Sequence, residues 1–75
     1  MDINIPEGVS EITYPDTSSV SLTNYNQYLK IVIRYESDGS FKIYIPDSPF
    51  SEFTMLDANR QYKFEALASF IIHTD

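Results

Sequence analysis

The chain contains no cysteine, which excludes a disulfide framework and a thiolate zinc site and suits a reducing compartment. It has only two glycines, Gly8 and Gly39, too far apart for a phosphate loop, a dinucleotide fingerprint or a G-x-S-x-G elbow. His73 is the single histidine, and the carboxylates show no ligand spacing that would complete a metal set with it. The longest unbroken apolar stretch, Phe70-Ile71-Ile72, is too short to cross a bilayer, and Met1-Asp2-Ile3-Asn4 lacks the basic start and apolar run of a signal peptide. These absences predict a cytoplasmic, non-enzymatic protein with no cofactor and no membrane partner.

Positive charge is also missing from the first 29 residues. Asp2, Glu7, Glu11 and Asp16 are the only charged side chains before Lys30, and the whole chain sets eleven acids against five bases for a net charge of −6. Such a surface repels nucleic acid and anionic lipid and attracts basic surfaces. With 75 residues the chain is expected to form one domain whose core is only just sufficient. Eleven aromatic residues, five Phe and six Tyr, supply the burial.

Residues 1–24, broken by Pro6-Glu7-Gly8, Pro15-Asp16 and Thr17-Ser18-Ser19, read as an acidic arm or edge strand. Residues 25–47 read as a β-hairpin. Leu29, Ile31, Ile33 and Tyr35 alternate with Tyr28, Lys30, Val32, Arg34 and Glu36, and Phe41, Ile43 and Ile45 alternate with Lys42 and Tyr44 after the break at Ser37-Asp38-Gly39-Ser40. A three-residue loop, Ser37-Asp38-Gly39, pairs Tyr35 with Phe41 and Ile33 with Ile43, keeping both apolar rows on one face. It also places Gly39 at the left-handed position of a G1 bulge. That odd-numbered row is expected to be core, leaving Tyr28 and Tyr44 on the opposite, exposed face as a dimer or interaction surface.

Residues 57–72 carry two competing periods. Phe64, Leu67, Ala68 and Ile71 fall at helical spacing, with Asp57 as a cap, while Tyr62, Phe64, Ala66, Ala68, Phe70 and Ile72 form an even-numbered row. The good helix formers around Glu65-Ala66-Leu67-Ala68 favour the helix. The expected fold is therefore α+β: a small antiparallel sheet built on the central hairpin with one C-terminal helix. The alternative is all-β, with the last segment a long strand.

Around the hairpin the chain resembles the HicB-type antitoxin domain, on the Asp38-Gly39 turn, the second strand ending in Pro46-Asp47, and the later Glu65-Ala66-Leu67. The match covers about half of the chain and implies an antitoxin fragment masking a basic RNase toxin. In size and charge the chain also resembles the small acidic proteins with which phages block host or defence proteins, some of them DNA mimics, acting in the host cytoplasm. That likeness implies an inhibitor occupying the nucleic-acid-binding surface of a basic partner such as a histone-like nucleoid protein, polymerase or nuclease complex. Glu7, Glu11, Asp16, Glu36, Asp38, Asp47 and Glu52 are then the candidate partner-binding row. A structural subunit of a larger assembly is the reading in which acidity is incidental.

Overall fold

In a computed structural model, which describes residues 2–15 and 18–74, the polypeptide is built of eight strands and one 3₁₀ helix. The strands are β1 (Asp2–Ile5), β2 (Gly8–Thr13), β3 (Val20–Ser21), β4 (Leu29–Tyr35), β5 (Phe41–Tyr44), β6 (Met55–Leu56), β7 (Gln61–Ala66) and β8 (Phe70–His73). The 3₁₀ helix spans Leu22–Tyr28, ahead of β4. β2, β7, β4 and β5 form a four-stranded sheet in that order, while β1 pairs with β8 and β3 with β6; every pairing is antiparallel.

The expected helix over residues 57–72 is absent: the segment forms β7 and β8. Burial explains which period prevailed. The even row sends Tyr62, Phe64, Ala66, Phe70 and Ile72 into the core, whereas the helical reading would have buried Leu67, Ala68 and Ile71, all of which are exposed. The larger aromatic row gains more from burial. Leu67, Ala68 and Ser69, poor strand formers in sum, make the turn between the two strands. Asp57 caps nothing helical; it opens a tight turn in which Asn59 adopts φ 63° and Arg60 N donates to Asp57 O at 3.4 Å. Glu65-Ala66-Leu67 is thus strand and turn.

The hairpin has the expected register, with Tyr35 opposite Phe41 and Ile33 opposite Ile43. Gly39 sits at φ 91°, Gly39 N donates to Glu36 O at 3.2 Å, and Glu36 N donates to Ser40 O at 2.9 Å. Its strands are shorter than residues 25–47, because 25–28 belong to the 3₁₀ helix. Its faces are the reverse of those expected. Val32 and Tyr44 are buried, and Ile33, Tyr35, Phe41 and Ile43 lie on the other side.

The neighbouring strand decides this. β7 pairs Val32 with Phe64 and Arg34 with Tyr62, so burying the aromatic row of β7 buries the even row of β4. The opposite choice would bury Lys63 and Glu65. A bulge at Lys30, between Leu29 and Ile31, shifts the phase by one residue and returns Leu29 to the core side.

Among the described residues of 1–24, the segments of β1 and β2 are strands paired into sheets. β1 aligns Ile3 and Ile5 with Ile72 and Phe70, and β2 is an edge strand against β7. One core, from Ile5 and Tyr14 to Phe70 and Ile72, gathers on the inner side of the four-stranded sheet.

Candidate binding surfaces

Leu22, Tyr25 and Tyr28 recur every third residue, and in a 3₁₀ helix of three residues per turn that spacing puts all three on one edge. Leu22 is fully buried, and Tyr28 stacks on Phe70 of β8 with ring centroids 5.2 Å apart and planes 7° from parallel. Tyr25 lies tilted against the same ring at 5.5 Å, and its hydroxyl accepts the His73 backbone N–H at 3.1 Å. Between this helix and the β1/β8 pair runs an open groove of about 650 Å³. Its walls are Asn4, Ile5, Pro6, Asn24, Tyr25, Gln27, Tyr28, Ser69, Phe70, Ile71 and His73.

No Lys or Arg lines the groove, while acids flank it. Asp2 Oδ1 lies 3.0 Å from His73 Nδ1, and Glu7 follows Pro6. Asp47 Oδ1 accepts from Asn26 Nδ2 at 3.2 Å, and Asn26 is not one of the groove's walls. Asn26 Oδ1 in turn accepts from the Tyr44 hydroxyl. Tyr44, expected on an exposed face, is buried in the core, and burial with the nearby Asp47 charge pushes its hydroxyl above the usual phenol value. Tyr28 is half-buried, but on the groove.

Of the seven acids expected to form a row, the six among the described residues are dispersed. Glu36 is taken up internally: it accepts from Arg34 Nε at 2.7 Å and Arg60 Nη1 at 2.8 Å, and its side chain is only 15% exposed. Arg34 also lies 5.0 Å from the Phe53 ring centroid and 3.9 Å from Asp57 Oδ2. Glu52 faces Lys42 at 3.7 Å and accepts the Ile43 N–H at 3.3 Å. Asp38, at the hairpin tip, accepts from the hydroxyl and amide of Ser40 at 2.6 and 2.9 Å, which holds its carboxyl below the usual carboxylate range. Asp47 takes a left-handed φ of 62° after Pro46. Glu7 is exposed at the β1–β2 corner, Glu11 is exposed on β2 opposite Lys63, and Asp16 lies outside the described residues. Glu7 and Asp38 stand at opposite ends of the four-stranded sheet, about 20 Å apart at the usual ~3.3 Å per residue.

Among the described residues no group of three or more His, Asp or Glu could hold a metal ion, and no helix is long and apolar enough to cross a membrane. The period-three pattern of Leu22, Tyr25 and Tyr28 is the signal by which sequence reasoning could have found the groove. No protein-family model, curated protein or solved structure matches the chain.

Proposed function

We propose that this protein is a non-enzymatic acidic binding protein that blocks a basic, nucleic-acid-binding surface on a partner protein. The observation that carries the reading is how its bases are spent. Arg34, Arg60 and Lys42 are each engaged by Glu36, Asp57 or Glu52, so Lys30 and Lys63 are the lysines left to offset the exposed acids. The outward field is therefore negative, which steers a basic partner. Glu7, Glu11, Asp38 and Asp47 supply that field, while Glu36 and Glu52 are committed to internal pairs. The groove suits the tip of a partner's Lys or Arg, with Tyr25 and Tyr28 offering ring surface to a cation and Asp2 and Glu7 at its margin.

Competition tests the reading. Labelled duplex DNA held by a histone-like nucleoid protein, a polymerase or a nuclease complex is released by this protein, less so as salt screens the attraction. Neutralising Glu7, Glu11 and Asp47 together weakens the release. Failure to release DNA from any of the three, or direct binding of the protein to DNA, overturns the proposal.

A further inference from the structure

The outer side of the four-stranded sheet carries the apolar row that the hairpin pattern assigns to a core. Ile31, Ile33 and Tyr35 on β4 and Phe41 and Ile43 on β5 share this face, and none of them is buried; Phe41 is 60% exposed. Val9 on β2, 59% exposed, lies on the same side beyond β7. The β4–β5 part of this face is a contiguous apolar patch, separated from Val9 by Lys63 and Glu65 of β7, and such a patch marks an association surface.

We infer that this face is covered by a second copy of the chain. Charge selects the occupant. Across the outer side the charged residues are Glu11, Lys30, Lys63 and Glu65, two acids and two bases, on a chain that carries −6 overall. A basic partner finds little excess negative charge here, whereas two like-charged copies meet with little repulsion. The apolar half on β4 and β5 is also self-complementary, as a two-fold contact requires.

Size limits the strength of this contact. Four strands at ~4.8 Å spacing and six residues at ~3.3 Å give each face about 380 Å² in flat projection, and side-chain relief adds to that. Two stacked faces then bury about 760 Å² in flat projection, below the ~1,200 Å² at the lower end of specific interfaces, so the dimer is a weak one. Growth at the outer edge of β5 is closed: Glu52 N donates to Ile43 O at 2.8 Å, and Ile45 N donates to Ser51 Oγ at 2.9 Å. Stacking face to face, about 10 Å apart, is the contact that remains for β5.

Sedimentation equilibrium of the full chain up to high micromolar concentration shows association toward twice 8.7 kDa. Phe41→Ser raises the dissociation constant about tenfold or more, and Leu67→Ser, in the exposed turn between β7 and β8, leaves it unchanged. Added salt strengthens the dimer by screening repulsion between copies, the opposite of its effect on a complex with a basic partner, so the two readings fail separately. As a check that needs no variant, amide shifts that move on dilution fall on Ile31, Ile33, Tyr35 and Ile43 and spare Tyr25 and Tyr28. A monomer throughout with concentration-independent shifts overturns the inference. So does a dimer whose shifts fall elsewhere, or a face that responds only when a basic protein is added.

Discussion

Gly39 and the two neighbours Val32 and Ile33 show at single-residue resolution what the sequence could and could not say. At Gly39 a Cβ would meet nothing within 4 Å, so the cost of Gly39→Ala is that of the φ of 91° alone. Urea melts are expected to show a loss of about 1 kcal/mol. Val32 is fully buried and Ile33 is not. In dilute solution Val32→Ala should therefore cost about 2 kcal/mol and Ile33→Ala about half that or less, although isoleucine loses the larger side chain. A larger cost at Ile33, measured in the same melts, would put the odd row in the core after all.

Within the elements, the register of β4 against β5 was legible because it depends on local chemistry: an Asp38-Gly39 turn and two apolar rows that must share a face. The choice of which face is inner was not, since it is dictated by β7 through the pairing of Val32 with Phe64, 32 positions further on. Residues 57–72 satisfy two periods at once, and only the packed sheet reveals that the aromatic row outweighs the helix formers. That segment gives a clean test. Leu67→Asp falls in an exposed turn and should shift stability by no more than about 0.5 kcal/mol, whereas Ile72→Asp buries a carboxylate in the core and should abolish folding. Far-ultraviolet circular dichroism distinguishes the two variants, and a helix would have reversed their order. Of the candidate site, the acidity was legible from composition, but its pairing was not, because Arg60 and Glu36 meet only in the folded chain.

For the whole molecule, the titrating tyrosines set an upper limit of pH. Burial raises the hydroxyls of both Tyr44 and Tyr62 above the usual phenol value of about 10. Their contribution to stability is fully present below that unfolded value and is lost as pH rises through the higher folded values. Urea midpoints should hold steady through neutrality and fall above roughly pH 10, and Tyr44→Phe should blunt the fall. At the other end, the lowered Asp38 carboxyl contributes above its unfolded value and loses that contribution as pH falls through the folded one.

The pairing of β1 with β8 brings Asp2 and His73 side by side, 71 positions apart in sequence. Anything fused before the first strand or after the last therefore leaves the domain from one spot. The order of the chain is correspondingly free. A circular permutant that joins the old ends by a short Gly/Ser linker and opens the exposed tip between Ser37 and Asp38 keeps the eight strands and their core. Its expected amide proton spectrum overlays that of the parent except near the new junctions.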